Sequence, residues 1–223
     1  MSRRDNHEAR CATCHMHNTL CVCSLTPTLA TRTRLSLLLH YREARKPTNT
    51  GQLAARCLSH SSISIVGDRD RPLALPLVRS DEQPVLLFPS MDAVPLSTFV
   101  DSKRPIVLIV PDGNWRQAGK MRQRVPGLAD VPCAVIGEHA GTAYKLRAEP
   151  RQGGLATMEA IAYAFGVLEG AKGPHVQQSL LAVFRIMVER TLWLRGALPA
   201  AHVTGGIPVA AQRNDPRGGA PST

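Results

Sequence analysis

Residues 106–121 read Ile-Val-Leu-Ile-Val-Pro-Asp-Gly-Asn-Trp-Arg-Gln-Ala-Gly-Lys-Met, five consecutive apolar residues that run straight into a polar turn and a basic stretch. A short unbroken apolar run suits a strand buried on both faces, as in a parallel sheet covered by helices. Leu35 to Leu39 (LSLLL), Ile63 to Val66, Val85 to Phe88 (VLLF) and Val131 to Ile136 supply further strands of this kind. Helical patterns lie between and after them. Thr50 is expected to cap a helix through Leu53, Ala54 and Leu58, residues 114 to 125 form a second, Thr157 to Glu169 a third capped by Thr157, and Pro174 to Arg195 a fourth with Pro174 in its first turn. Strands alternating with helices predict an α/β fold with a mostly parallel sheet flanked by helices.

The position of Asp112 gives this layout a chemical reading. In open α/β sheets, ligands bind beyond the carboxyl ends of the strands, so an aspartate directly after the 106–110 run is expected at the mouth of a crevice. Gly113 permits a tight turn and Asn114 can cap the next helix. The same residues also suit an ordinary turn and cap, and Trp115 suits either base stacking or core packing. Arg116, Lys120 and Arg124 recur every four residues and share one helix face, with no acidic residue between Gly113 and Ala129. Such a stripe is either a solvated face or a set of phosphate contacts, and its place beside a candidate site favours phosphate.

Two further loops are rich in ligand-type residues. His40-Tyr41-Arg42-Glu43-Ala44-Arg45-Lys46-Pro47-Thr48-Asn49-Thr50-Gly51 follows the first strand, and Lys145, Arg147 and Arg151 precede Gly153-Gly154 and the Thr157 helix. A Gly-rich loop entering a helix can bind an anion through backbone N–H groups. The bland alternative for both is a solvated connection.

Cys11, Cys14, Cys21 and Cys23 form a C-x-x-C, six-residue gap, C-x-C pattern. Pairs of thiolates on tight turns with these spacers can surround one tetrahedral Zn2+, and a closed four-thiolate site is structural because it leaves no open position for substrate. Reactive or disulfide-forming thiols are the competing reading. Cys57 and Cys133 stand apart and read as buried reduced thiols.

Composition bounds the partners. The chain has 223 residues, 43% of them apolar, enough for a substantial core. Lys and Arg number 27 against 17 Asp and Glu, a formal charge of +10, and a zinc–tetrathiolate centre lowers this by only two charges. An excess of this size attracts a polyanion such as nucleic acid. No apolar run approaches a transmembrane helix, and MSRRDNHEAR at the start has no signal-peptide core, with Asp5 and Glu8 against a transit peptide. A cytoplasmic protein without membrane contact is expected. The domain plan is a zinc-binding segment over 1–30, an α/β catalytic domain over 31–200, and a Gly-, Pro- and Ala-containing flexible tail over 201–223.

Taken in order, the paired cysteines, HYREARKPTNTGQLA (40–54), PDGNWRQAGKM (111–121) and YKLRAEPRQGGLATMEAIA (144–162) resemble the DTW-domain tRNA-uridine aminocarboxypropyltransferases over roughly residues 11 to 195. The family motif is Asp, a small residue, Thr, Trp, and here Asn114 stands in the Thr position. The resemblance implies a SPOUT-like fold with a C-terminal knot. It also implies S-adenosylmethionine as donor and transfer of its 3-amino-3-carboxypropyl group to N3 of a tRNA uridine, releasing 5′-methylthioadenosine. On that basis Asp112 is the expected base. Pro111, Gly113, Asn114, Trp115, Leu146, Arg147, Thr157 and Glu159 are expected around the donor, and His40, Arg42, Lys46, Arg116, Lys120, Arg124, Lys145 and Arg151 on the tRNA. A SPOUT-type tRNA methyltransferase and a non-catalytic zinc-containing RNA-binding protein are the alternatives. The chain is expected as monomer or homodimer, since Leu180, Phe184, Met187 and Val188 align on one side of the last helix and say only that it packs on something.

Overall fold

The computed structural model describes residues 9–44, 46, 49–68, 73, 77–137 and 154–214. Its regular elements, in chain order, are β1 (Arg34–His40), α1 (Thr50–Cys57), β2 (Ser61–Val66), β3 (Gln83–Leu87), β4 (Val94–Pro95), β5 (Ile106–Asp112), α2 (Trp115–Arg124), β6 (Cys133–Val135), α3 (Thr157–Leu168) and α4 (Gly173–Leu194). The strands make one six-stranded sheet in the order β2-β1-β5-β3-β6-β4, and every neighbouring pair is parallel. The predicted α/β class and the parallel sheet are both present.

Strand side chains alternate between two cores. From β5, Ile106, Leu108 and Val110 enter the larger one with Leu53 of α1, Phe165 of α3, and Phe184 and Trp193 of α4. Val107 and Ile109 enter the smaller one with Met121 of α2, Val125 and Leu128. The apolar run of β5 is therefore continuous because both of its faces are covered. The alternation also fixes where the strand's last residues point: Asp112 continues the row of Leu108 and Val110 toward α1 and α3, and Pro111 faces the α2 side.

That geometry creates the crevice. β1 and β5 are adjacent and run in register from Arg34↔Val107 to Leu39↔Asp112. The chain leaves β1 for a helix in the larger core and leaves β5 for a helix in the smaller core, so the two connections diverge to opposite faces. Such a topological switch point opens a gap at the carboxyl ends of the strands, where doubly wound sheets bind ligands.

Several local expectations are corrected. The cap of α1 is Asn49, whose side chain accepts the Gln52 N–H, while the Thr50 hydroxyl accepts the Met158 N–H at 3.2 Å and ties α1 to α3. Thr157 is the first helical residue of α3, and the cap position belongs to Ala156. Two-residue β4 has no counterpart in the sequence reading; it sits at the sheet edge, where Pro95 costs no ladder hydrogen bond. Within the segment expected as a tail, Val203 and Ala211 are 6% and 0% exposed and join the larger core. Met16, Leu20 and Val22 of the cysteine-bearing segment enter the same core. Cys57 and Cys133 are buried free thiols as expected, and burial pushes the Cys57 thiol up to about 12. No helix among the described residues is long and apolar enough to cross a membrane.

Candidate active site

Asp112 is 6% exposed and sits where three helix starts converge on the end of β5. Asn49 Nδ2, from the cap of α1, donates to Asp112 Oδ2 at 2.6 Å, and Thr157 Oγ1, from the first turn of α3, donates to Asp112 Oδ1 at 2.8 Å. Each carboxylate oxygen is thus gripped by a side chain of a different helix. Gly51 lies directly against this group: a Cβ there would stand 2.5 Å from Asp112 Oδ2. The carboxylate is held in one rotamer by hydrogen bonds on both oxygens and by close packing beneath.

The turn after Asp112 is built for the helix that follows. Asn114 Oδ1 accepts the Gln117 N–H at 2.9 Å, and Gln117 Oε1 accepts the Asn114 N–H at 2.7 Å. This reciprocal capping box satisfies two otherwise orphaned donors, so asparagine in place of threonine keeps the cap. Gly113 packs on Gln117, where an added Cβ would lie 3.0 Å from both Cβ and Oε1 of that side chain. Trp115 is 36% exposed and lines a groove, which overturns the core-packing alternative for it.

The groove lies on the α2 side of the crevice and encloses about 930 Å³. Its floor includes Ile65, Val66, Leu73, Met121 and Val125, and its rim carries Arg42, Arg116, Lys120 and Arg124 against one acid among the described residues, Asp68. Arg116, Lys120 and Arg124 make no ion pair among the described residues, whereas Arg122, two positions from both Lys120 and Arg124, pairs with Asp92 at 2.7 Å. His40, Tyr41 and Arg42 close one wall as a layered group. The His40 and Tyr41 rings are 4.8 Å apart, the Arg42 guanidinium lies 5.5 Å from the Tyr41 ring centre, and its Nε donates to the Tyr41 hydroxyl at 2.8 Å. Burial, reinforced by the nearby Arg42 charge, lowers the His40 pKa and favours its neutral form. His40 Nδ1 is 3.3 Å from Gln117 Nε2, which links this wall to the capped turn.

The expected site residues thus divide between two faces. His40, Arg42, Asn114, Trp115, Arg116, Lys120 and Arg124 line the groove, while Asp112 and Thr157 meet on the opposite side of β5. Pro111 and Gly113 serve the strand end and turn. Lys46 pairs with Glu43 and does not line the groove. Glu159 is 2% exposed and its carboxylate accepts the Ala156 N–H at 2.9 Å at the start of α3. Leu146, Arg147, Lys145 and Arg151 lie outside the described residues. Asn49, Gly51 and Gln117 were not singled out from the sequence. Asn-Thr-Gly ahead of a helix and Gln three residues after Asn114 were the available signals.

The four cysteines come together as their spacing predicts. Their Sγ atoms lie within 4.8 Å of one another, with Cys11 to Cys23 at 3.8 Å and Cys14 to Cys21 at 3.6 Å. A regular tetrahedron with Zn–S bonds of about 2.3 Å has edges of about 3.8 Å, so the donor set fits Zn2+. The backbone N–H of Cys14 holds the Cys11 thiol down to about 6, whereas burial raises Cys21 and Cys23. The Cys23 N–H also points at Cys21 Sγ, 3.4 Å away.

With this arrangement in place, comparison with known proteins is decisive: the DTW domain model matches residues 8–192. The chain belongs to the DTW domain family. Its curated relatives include tRNA-uridine aminocarboxypropyltransferase 2 of Drosophila melanogaster, 26% identical over 184 residues covering 79% of this chain and 72% of the relative. The Mus musculus protein of the same name is 28% identical over 184 residues, covering 77% of this chain and 59% of the relative. Arabidopsis thaliana tRNA-uridine aminocarboxypropyltransferase A is 28% identical over 229 residues, covering 83% and 82%. No solved structure matches the chain. Within the DTW motif, the Asp and Trp positions occupy the two faces described above, and the Asn114 cap stands between them.

Proposed function

We propose that this chain transfers the 3-amino-3-carboxypropyl group of S-adenosylmethionine to N3 of a uridine in tRNA, with 5′-methylthioadenosine as co-product. The observation that carries the proposal is the anchored Asp112 carboxylate at the switch point beside a cationic, aromatic-bearing groove. The names of the DTW relatives support the reaction type.

In this reading the groove takes the tRNA. Arg42, Arg116, Lys120 and Arg124 neutralise phosphates, and Trp115 offers a face for a base. The turn at Gly113-Asn114 is the lip that the target uridine crosses to reach the Asp112 side. The donor lies on that side, with Thr157 beside it. Asp112 accepts the N3 proton as N3 attacks the methylene attached to sulfur. The carbon–sulfur bond breaks, its electron pair stays on sulfur, and the sulfonium becomes a neutral thioether. Such base assistance is worth about 10² to 10⁴ in rate. Charge on sulfur is lost and not created, so the remaining task of the site is alignment, worth roughly 7 to 11 kcal/mol in well-oriented cases.

The cysteine centre is structural in this reading. Cys11, Cys14, Cys21 and Cys23 would hold Zn2+, which would brace the N-terminal segment against the main core. A SPOUT-like class with a C-terminal knot, the division at residues 30 and 200, and a cytoplasmic setting belong to the same proposal. The parallel sheet supports its α/β part.

The test is direct. Purified protein, tRNA and S-adenosylmethionine should yield 5′-methylthioadenosine and tRNA heavier by one aminocarboxypropyl group per modified uridine. Release of S-adenosylhomocysteine with a methyl-sized gain, or no donor binding by calorimetry, would overturn the assignment in favour of a methyltransferase or a non-catalytic binder respectively.

A further inference from the structure

Arg190 lies in the middle of the last turns of α4, on the side that carries Val183 and Met187 into the larger core, and is 7% exposed. A buried guanidinium is costly unless an anion faces it. Among the described residues no Asp or Glu forms an ion pair with it. Its Nη1 donates to the carbonyls of Leu20 at 3.3 Å and Cys21 at 2.9 Å, and its buried Nε has no hydrogen-bond partner among the described residues. Both carbonyls belong to the cysteine loop, so the cation lies against the backbone of that loop at Cys21.

The charge state of the cysteine cluster decides whether this arrangement makes sense. Four thiols are neutral, and two disulfides, joining Cys11 to Cys23 and Cys14 to Cys21, would be neutral as well. Four thiolates around one divalent cation carry two net negative charges. We infer that Arg190 is the buried counter-ion of an anionic metal–tetrathiolate centre, so that metal occupancy and docking of the cysteine loop onto α4 form one equilibrium. The inference concerns the metal centre and is independent of the reaction proposed above. It makes Arg190 a positioning residue for the metal site, and it disfavours the disulfide form of the same cysteines in the folded protein.

The experiment compares full-length wild type with Arg190→Lys, Arg190→Gln and Arg190→Met. Zinc affinity is measured by competition with a chromophoric chelator, and Co2+ substitution reports tetrahedral thiolate ligation. Lys keeps the charge. Gln keeps a donor for the Leu20 and Cys21 carbonyls but removes the charge. Wild type is expected to bind one ion per chain, with the Lys variant close to it. Gln and Met should bind about 10- to 100-fold more weakly, the loss typical of outer-shell partners of a metal site. Equal affinity of the Gln and Lys variants would show that hydrogen bonding alone matters and would overturn the inference, as would a wild-type chain that binds no Zn2+ or Co2+. Should the Met variant fail to fold, the Lys and Gln pair still decides.

Discussion

Replacing Gly51 by alanine probes the packing that fixes Asp112. In an ordinary helix interior the change stabilises by about 0.5–1 kcal/mol, because glycine loses more backbone freedom on folding. Here the new Cβ would lie 2.5 Å from Asp112 Oδ2, 3.1 Å from its Cγ and 3.1 Å from Leu37 Cδ1. Neither neighbour can yield cheaply: Leu37 is fully buried, and both oxygens of Asp112 are held by Asn49 and Thr157. Overpacking of this kind costs about 1–3 kcal/mol, and breaking the hydrogen bond from Asn49 to a charged acceptor adds about 1.5–3 kcal/mol. The net expectation is a loss of roughly 1.5–5.5 kcal/mol, about 3.5 at the centre of the range, and so a fall in Tm of roughly 7–14 °C for a chain of this size. Transferase activity should fall further than stability, since the carboxylate must move. Gly119→Ala is the internal control. Its Cβ would meet only Phe88 Cζ, at an ordinary 3.8 Å, so it should stabilise α2 by about 0.5–1 kcal/mol. Urea or thermal unfolding reads the stabilities and mass analysis of tRNA reads the activity. A Gly51→Ala protein as stable and active as wild type would refute the tight Asp112 environment.

Other perturbations test separate parts of the picture. Asp112→Asn should lower product formation by about 10²-fold or more while calorimetry still detects S-adenosylmethionine binding; turnover at the wild-type rate would remove Asp112 as base. Replacing Arg116, Lys120 and Arg124 together by alanine should weaken tRNA binding and flatten the slope of log affinity against log salt by roughly 2, taking about 0.7 per lost contact to single-stranded phosphate. An unchanged slope in filter binding across a salt series would move the tRNA elsewhere. Arg34 Nε and Nη2 each donate to the 4% exposed Glu82 carboxylate at 2.6 Å, and this pairing holds its pKa below the ordinary 4.5. The stabilisation is therefore complete above about pH 4.5 and is lost as pH falls through the depressed folded-state value. Glu82→Gln should be less stable than wild type at neutral pH and should show a shallower acid limb in pH-dependent unfolding.

The fold was legible because its strands are short apolar runs with no competing interpretation. LSLLL, VLLF and IVLIV each became a parallel strand of the sheet, and the Asn114 cap and the helix after it fell where the turn chemistry put them. The cysteine cluster was equally legible, since spacers of two and one residues leave little freedom. Less visible were contacts made at long range. Thr157 reads as a helix cap from its neighbours alone, yet its hydroxyl is taken by Asp112, 45 positions earlier. Residues 201–214 read as a tail because Gly, Pro and Ala carry weak local signals, and the burial of Val203 and Ala211 is visible only once the chain is packed. Nothing in the sequence singles out Arg190, whose carbonyl partners Leu20 and Cys21 lie 170 and 169 positions away.

By itself the sequence determined the parts: buried strands, the aspartate at the end of one of them, a basic stripe on the next helix, and four thiols able to share an ion. These depend on local periodicity and spacing, which the chain carries in its own order. Tertiary structure decided which face each part occupies. Because β-strand side chains alternate and the chain leaves β1 and β5 toward opposite layers, Asp112 is gripped by α1 and α3 while Trp115 and the cationic stripe open onto a groove on the other side of the sheet.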